Sequence, residues 1–162
     1  MAVTQLQNDT RAGLAVGGIS AVLLLGAWAF QYLGGLAPCE MCIWQRWPHG
    51  AAAMLGLGGA LLAVTGIAPE RIARPLVWLA VIALVITGAI GVFHAGVEWK
   101  LWAGPAHCTG AGIDPRATFQ IIRCDEAQWR LFGISLAGYN AVVSLAVAAA
   151  AIALLTRKAR ST

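Results

Sequence analysis

Long apolar runs alternate with shorter polar segments along the whole chain. Taken as helices, with a rise of about 1.5 Å per residue, the runs are long enough to cross the roughly 30 Å hydrocarbon core of a bilayer. The pattern predicts an all-α integral membrane protein, a single membrane domain over residues 1–162 that folds as a four-transmembrane-helix bundle. The predicted spans are 12–36, 47–67, 75–97 and 134–155.

The loops predicted at one end of this bundle are residues 37–46 and 98–133. The second of them is the only long polar region of the chain. It contains Gly104-Pro105 and Asp114-Pro115, which mark turns. Five of the seven tryptophans also belong to this end, and tryptophan is enriched at membrane interfaces. We therefore expect this end to be the anchored, working face of the protein.

The first apolar run has a competing interpretation as a secretory signal peptide. It is longer than the apolar region of a signal peptide, which has about 7–15 residues. Pro38, directly before Cys39, is also unfavourable for cleavage. The sequence therefore favours an uncleaved helix.

The composition agrees with a membrane protein and disfavours a nucleic-acid-binding function. Hydrophobic residues make up 59% of the chain and charged residues only 11%, with a mean hydropathy of +0.74, outside the range of ordinary soluble domains. The formal net charge of +4 is scattered at the ends of the apolar runs and forms no basic stripe. Membrane lipid is the predicted environment, and the charge is interpreted as a topology signal.

The distribution of basic residues predicts the orientation. On the side of both termini there are six basic and two acidic residues, whereas the other side has five of each. Because cytoplasmic segments carry the excess of Lys and Arg, both termini are predicted to be cytoplasmic. The cytoplasmic basic residues are Arg11, Arg71, Arg74, Arg157, Lys158 and Arg160.

All four cysteines fall on the predicted outer side. Cys39 and Cys42 form a Cys-x-x-Cys pair, and Cys108 and Cys124 form a wider pair. Disulfides persist in oxidising compartments such as the one expected there. A zinc site is the competing interpretation, but the wide spacing of the second pair, with His107 as the only nearby extra ligand, disfavours it. A purely structural Cys108–Cys124 disulfide stays open as an alternative, although it does not explain the Cys-x-x-Cys.

Two redox pairs on one face permit an electron relay. The loop pair would oxidise a partner and be regenerated by the pair fixed at the membrane, which then needs a two-electron acceptor. The chain has no Gly-rich nucleotide loop, and Ile43 stands where the haem motif Cys-x-x-Cys-His requires histidine. A lipid-soluble quinone is therefore the predicted acceptor.

Arg46, which follows the Cys-x-x-Cys, and His94, near the outer end of the third predicted span, are candidates for contact with such an acceptor. If residues 42–46 are helical, Cys42 and Arg46 share a face, so that Arg46 can stabilise a Cys42 thiolate and donate to a quinone carbonyl. The alternative is that Arg46 is an interfacial anchor. His49 continues this face, but Pro48 leaves open whether the helix begins near Trp47 or earlier. His94 is interpreted either as an interfacial hydrogen-bonding residue or as a proton donor to the reduced quinone.

These features together resemble the bacterial disulfide bond formation protein B (DsbB) family. The resemblance rests on the four spans, the Cys-x-x-Cys followed by Gln45-Arg46, the second cysteine pair between the last two spans, and the run Arg123-Cys124-Asp125-Glu126-Ala127-Gln128-Trp129. It implies a multi-pass enzyme of the bacterial inner membrane, active on its periplasmic face. Such an enzyme uses ubiquinone or menaquinone to reoxidise a periplasmic thioredoxin-like dithiol oxidase of the DsbA type.

The resemblance also implies roles for individual residues. Cys39 and Cys42 would be the membrane-proximal pair, with Cys42 and Arg46 contacting the quinone. Cys108 would form the mixed disulfide with the partner, and Cys124 would be its loop mate. His94 would lie near the quinone, and no metal ligand is implied.

Two further interpretations remain beside the DsbB resemblance. One is a non-enzymatic membrane scaffold or metal-binding protein, in which the cysteines are structural or ligating. The other is a quinone reductase similar to vitamin K epoxide reductase. In that family the Cys-x-x-Cys lies near the start of the last helix of the bundle, whereas here it opens the second.

Overall fold

A computed structural model describes residues 2–109 and 122–157 of the chain. Within these ranges the fold consists of four long helices and a small hairpin. The four helices are all long and apolar enough to cross a membrane, which confirms the predicted number of spans. The helices are α1 (Ala2–Tyr32), α2 (Glu40–Thr65), α3 (Glu70–Glu98) and α4 (Leu136–Thr156), and the hairpin strands are β1 (Arg130–Leu131) and β2 (Ile134–Ser135).

Helix α2 begins well before the predicted span 47–67. Residues 40–46, which the sequence analysis assigned to a loop, are helical, and Pro48 lies inside the helix. The reason is a local N-cap: the Cys39 sulfur accepts a hydrogen bond from the Cys42 backbone N–H at 3.2 Å. Glu40 in the first turn adds a favourable charge at the positive end of the helix dipole. The helix therefore begins at the Cys-x-x-Cys itself.

The other helices also differ from the predicted spans at their ends. Helices α1 and α3 start earlier than predicted, because polar first turns before an apolar run can still be helical. Ile134 and Ser135 belong to the hairpin and not to the last span. Ser135 then caps α4, since its hydroxyl accepts a hydrogen bond from the backbone N–H of Gly138 at 3.2 Å.

Consecutive helices meet at alternate ends of the bundle. We call the end where α1 and α3 finish and α2 and α4 begin the cysteine end. The interior is built largely from small residues, such as Ala52, Ala80 and Ala148. Many large apolar side chains point outward instead, as expected where lipid, rather than water, surrounds the helices.

Helices α1 and α2 make their closest approach at glycines. A Cβ atom on Gly56 would lie 2.8 Å from the backbone nitrogen of Gly17 and 2.9 Å from the carbonyl oxygen of Gly13. Gly13 and Gly17 are four residues apart and face α2 together, in the small-xxx-small arrangement that lets membrane helices pack closely. This contact fixes how near α1 lies to the functional groups of α2.

Replacement of Gly56 by alanine should therefore weaken the bundle, because the new methyl group forces α1 and α2 apart. We expect Gly56→Ala to lower the stability by about 1–3 kcal/mol, measured as a lower midpoint of thermal unfolding in detergent. Gly58→Ala is the matched control, since nothing lies within 4 Å of its Cβ position on the same helix. Equal midpoints for the two variants would contradict the close contact.

Candidate functional site

The Cys-x-x-Cys pair lies at the N-terminus of α2 with its sulfur atoms in contact. Cys39 Sγ and Cys42 Sγ are 2.6 Å apart, and neither sulfur is in a disulfide. Cys39 is buried and Cys42 is half-buried. The side-chain hydrogen bond in which the Cys39 thiol donates to Cys42, together with burial, raises the pKa of the Cys39 thiol above its ordinary value. Only a small movement separates this dithiol from the roughly 2.05 Å of a disulfide bond.

The second cysteine pair is a disulfide that packs directly on the first. Cys108 and Cys124 are bonded, with their Cα atoms 5.4 Å apart. Their exposed fractions are only 2% and 0%. They share one buried cluster with Cys39, and Met41 and Val97 complete it. All four cysteines are therefore gathered at the cysteine end of the bundle.

Ion pairs hold the described parts of the long loop over this cluster. Asp125, next to Cys124, pairs with both Arg123 and Lys100. The hydrogen bond from the Arg123 guanidinium, followed by that from Lys100, holds the pKa of the Asp125 carboxyl well below its usual range. On the Cys108 side, His107 Nε2 lies 2.7 Å from a carboxylate oxygen of Glu40, at the start of α2. Residues 110–121 of the predicted loop 98–133 lie outside the described residues.

His94 on α3 lies next to the Cys-x-x-Cys. Its Nε2 atom is 3.6 Å from Cys39 Sγ, and its Nδ1 atom is 2.8 Å from Nε2 of Gln45. Gln45 Nε2 also donates to the backbone carbonyl of Met41 at 3.0 Å. Because a carbonyl oxygen only accepts, this contact identifies the Gln45 atom as its NH₂ group. His94 Nδ1 is therefore an acceptor, and the neutral ring carries its hydrogen on Nε2, toward Cys39.

A buried network continues from Gln45 into the bundle core. Asn140 on α4 donates through Nδ2 to Gln45 Oε1 at 2.7 Å and to the Thr87 backbone carbonyl at 3.1 Å. Its Oδ1 atom accepts from Ser144 Oγ at 2.7 Å and lies 2.8 Å from His49 Nε2. Interhelical hydrogen bonds of this kind in membranes contribute about 0.6–2 kcal/mol each. The network ties α2, α3 and α4 together directly behind the cysteines.

An apolar cavity of about 290 Å³ opens beside this network, between α1, α2 and α4. Its wall consists mainly of apolar side chains of α1, such as Val22, Leu23 and Phe30, with Cys42 and Arg46 on α2. Residues 42–46 are helical, so Cys42 and Arg46, which are four residues apart, lie on the same face of α2. A smaller space of about 110 Å³ at the cysteine end also borders Cys42 and Arg46, and it reaches Cys39 and His94 as well.

Arg46 is held from α1 but keeps one donor free among the described residues. Its Nη1 donates to Gln31 Oε1 at 2.5 Å, and its Nη2 donates to the Ala27 carbonyl at 3.4 Å. Its Nε atom is buried and has no hydrogen-bond partner in the described part of the chain. An unsatisfied N–H on a residue that borders an apolar cavity is a candidate donor for a carbonyl oxygen.

The side chains of one cluster lie close enough together to be considered as metal ligands. They are Cys39, Cys42 and His94, whose potential ligand atoms are within 4.8 Å of one another. A ligating imidazole nitrogen has to present a lone pair. The His94 atom that faces Cys39 carries the hydrogen, because Nδ1 already accepts from Gln45. The tautomer therefore favours hydrogen bonding to sulfur over metal binding. In the other candidate cluster, Glu40, His107 and Cys108, the sulfur is committed to a disulfide.

The residues singled out by the sequence analysis fall into one region at the cysteine end. Cys39, Cys42, Arg46 and His94 border the smaller cavity, and the Cys108–Cys124 disulfide lies in the same cluster as Cys39. His49 is one turn deeper on α2, and it borders only the larger of the two cavities.

The sequence does not single out three polar residues of the site. Gln45 stands out only as part of the Gln45-Arg46 motif, Glu98 falls in the predicted loop, and Asn140 lies within a predicted apolar span. Glu98 is buried, and its Oε1 atom lies 3.7 Å from His94 Nε2. A signal for Asn140 was present, because a polar residue inside a membrane span is a functional candidate by default.

Comparison with known proteins agrees with this picture. The family described as "Disulfide bond formation protein DsbB" matches residues 9–154. A protein named disulfide bond formation protein B from Verminephrobacter eiseniae is 32% identical, over 96% of this chain and 91% of its own length. Proteins of the same name from Polaromonas sp. and Dechloromonas aromatica are each 27% identical, over 99% and 93% of this chain and 99% and 95% of their own lengths.

No solved structure gives a significant match. The family match covers all four helices except for the beginning of α1 and the end of α4. The chain belongs to the DsbB family of membrane proteins of disulfide bond formation.

Proposed function

We propose that this protein is a quinone-dependent membrane thiol oxidase. It reoxidises a periplasmic thioredoxin-like dithiol oxidase of the DsbA type, and electrons pass from Cys108/Cys124 to Cys39/Cys42 and then to a quinone. The observation that carries the proposal is the packing of both cysteine pairs in one cluster, with the inner pair beside an apolar cavity. Membership of the DsbB family supports the same reaction class.

The relay consists of two thiol–disulfide exchanges and one oxidation. The partner's dithiol attacks the Cys108–Cys124 disulfide, so that the partner becomes a disulfide and the loop pair becomes a dithiol. The loop dithiol then reduces a Cys39–Cys42 disulfide and returns to its bonded form. The inner dithiol finally loses two electrons and two protons to the acceptor. Each exchange proceeds through a mixed disulfide, in which Cys108 is the proposed partner of the soluble oxidase.

Access to the loop disulfide requires the loop to move. Both sulfur atoms are buried against α2 and α3, so an external thiolate cannot reach them in this arrangement. The ion pair of Glu40 with His107 is exposed on both sides, and in the pair of Asp125 with Lys100 the lysine is exposed. Exposed ion pairs contribute little to stability, so they can break when a partner docks.

The larger cavity fits a quinone ring. When bound, the quinone supplies an acceptor for two electrons and two protons. The apolar side chains of α1 would hold the ring, and the unpaired Nε–H of Arg46 would donate to a carbonyl oxygen. Cys42 borders both this cavity and the Cys39 sulfur. It is therefore the sulfur from which electrons leave the pair.

His94 would act on the other sulfur of the pair. Its Nε2–H faces Cys39 Sγ, and a donor at this place stabilises a thiolate on Cys39. Because Gln45 donates to Nδ1, the neutral His94 ring already has its hydrogen on Nε2. It can therefore donate to Cys39 without gaining or losing a proton. The hydrogen-bonding interpretation of His94 is thus favoured over the interpretation as a proton donor.

The orientation is part of the proposal. The cysteine end would face the periplasm of a bacterial inner membrane, with both termini in the cytoplasm, because the opposite end has the excess of basic residues. Disulfides are formed and kept in the periplasm.

Serine replacement of single cysteines should separate the two stages of the relay. With a reduced thioredoxin-like oxidase as donor, both Cys108→Ser and Cys39→Ser should abolish quinone reduction. A small dithiol can reach the inner pair without the loop, so with this donor Cys108→Ser should keep most of its activity and Cys39→Ser should not. Quinone absorbance measures both reactions. Turnover of Cys108→Ser with the protein donor would refute the proposed order.

Removal of the Arg46 side chain should weaken the interaction with quinone. A hydrogen bond from a charged donor is worth about 1.5–3 kcal/mol, so we expect Arg46→Ala to raise the KM for quinone about tenfold or more. The disulfides should still form. Arg71→Ala, which removes an equal charge from an exposed position at the other end of the bundle, should leave this KM unchanged. If the two variants have the same KM, Arg46 is only an interfacial anchor.

The alternative of a scaffold or metal-binding protein makes a different prediction for the cysteines. In resting membranes that contain oxidised quinone, alkylation without reductant should find no free thiols if the protein is an oxidase. A metal site would yield thiols that react only after a chelator is added, and a scaffold would keep Cys39 and Cys42 reduced. Mass spectrometry of the alkylated protein distinguishes these outcomes.

A further inference from the structure

His49 on α2 is a buried histidine that the relay described above does not use. Its Nδ1 atom has no hydrogen-bond partner among the described residues, and the same holds for Arg46 Nε. Both residues border the larger apolar cavity. Leaving a buried polar atom unpaired is unfavourable. Because both unpaired atoms belong to residues that border one cavity, they point to a ligand there that pairs with them.

The hydrogen-bond network fixes which nitrogen of His49 is the unpaired one. Asn140 turns its NH₂ group to the backbone carbonyl of Thr87, so its Oδ1 atom must face His49. An amide oxygen only accepts, and His49 Nε2, at 2.8 Å from it, therefore carries the hydrogen. Nδ1 is left with a lone pair in the neutral ring, and it can bind a proton without disturbing the bond to Asn140.

His94 differs from His49 in this respect. Its Nδ1 atom already accepts a hydrogen bond from the NH₂ group of Gln45, and Gln45 is held in that orientation by Met41. Protonation of His94 would place two donors against each other. Of the two buried histidines, only His49 has a nitrogen that can take up and release a proton in place.

We propose that His49 is the proton-exchanging residue of the quinone site. Its Nδ1 atom accepts a hydrogen bond from a hydroxyl of the reduced ligand, and in its protonated form it donates a proton to the corresponding oxygen of the oxidised ligand. The assignment rests on the proposed quinone reaction and adds to it a residue that contacts the ligand. Arg46 Nε, which can only donate, is matched to the other ring oxygen.

The proton balance of the reaction leaves His49 unchanged. The Cys39/Cys42 dithiol loses two electrons and two protons when it becomes a disulfide, and the ligand gains two of each. His49 takes up one of the released protons at Nδ1 and passes one on. Cys42 is one of the two thiols that release protons, and it borders the same cavity as His49.

Few other groups near His49 can titrate. The cavity wall contributed by α1 is apolar, and α3 contacts the network through Thr87 and through His94, which is bonded to Gln45. Among the described residues that line the cavity, the ionisable ones besides His49 are Cys42, Arg46 and Tyr139. An arginine side chain offers only donors, whereas an imidazole nitrogen with a free lone pair can take up a proton and release it again. His49 is the residue with such a nitrogen among the described residues that line the cavity.

Ligand binding to the full-length protein tests this assignment. In a Cys39→Ser background neither ligand form is converted, so the affinities for quinone and hydroquinone can be measured separately at pH 8. We expect His49→Phe to weaken hydroquinone binding about tenfold, the loss of one hydrogen bond, and to change quinone binding less than twofold. His107→Phe, an exposed histidine outside the cavity, is the control and should change neither. Equal effects of His49→Phe on both forms would overturn the role of His49.

A spectroscopic measurement without a core substitution guards against misfolding of His49→Phe. In protein labelled with ¹⁵N-histidine, the His49 signals should show hydrogen on Nε2, and the Nδ1 signal should move when hydroquinone is added but not when quinone is added at pH 8. An Nδ1 signal that responds to neither form overturns the inference while the proposed function stands. If neither form binds to the Cys39→Ser protein at all, the proposed function fails as well.

Discussion

Two backbone carbonyls in the bundle, those of Met41 and Thr87, determine the hydrogen bonding of the whole site. Each accepts an N–H from a side-chain amide, the first from Gln45 and the second from Asn140. Because a carbonyl oxygen cannot donate, neither amide can turn around without losing its partner in a region that contains no bulk water. The two amides then set the position of the hydrogen on His94 and on His49.

This network exists only because the helices lie close together. Gly91 on α3 has space for no side chain, since a Cβ atom there would be 2.9 Å from the Ala137 carbonyl and 3.1 Å from Asn140 Nδ2. The contact places Asn140 against α3, within reach of Thr87. On the other side of α2, α1 packs closely at Gly13 and Gly17, and farther along the same pair of helices Gln31 reaches Arg46. Small residues therefore do more than pack the helices, because they let short polar side chains bridge them.

The sequence predicted the number of helices, the membrane environment and the two cysteine pairs, because hydrophobic run length and cysteine spacing are local signals. It did not predict that α2 starts at Glu40. That start depends on a sulfur atom as the cap acceptor, whereas Ser, Thr, Asp and Asn are the residues expected there. The contact of Gln45 with His94 was also out of reach, since it joins residues 49 positions apart. The presence of Asn140 within an apolar run is visible in the sequence, but its partners are not.

The same physical rule gives the two buried histidines different chemistry. His94 accepts a hydrogen bond from a fixed donor at Nδ1, so it can only donate from Nε2, and it does so toward the sulfur of Cys39. His49 donates to a fixed acceptor from Nε2, so its Nδ1 stays available for a proton, on a residue that borders the apolar cavity. Neither property belongs to the imidazole itself, and exchanging the two amide orientations would exchange the two roles. In this bundle, therefore, the residues that decide the proton chemistry are Gln45 and Asn140, although neither of them is ionisable.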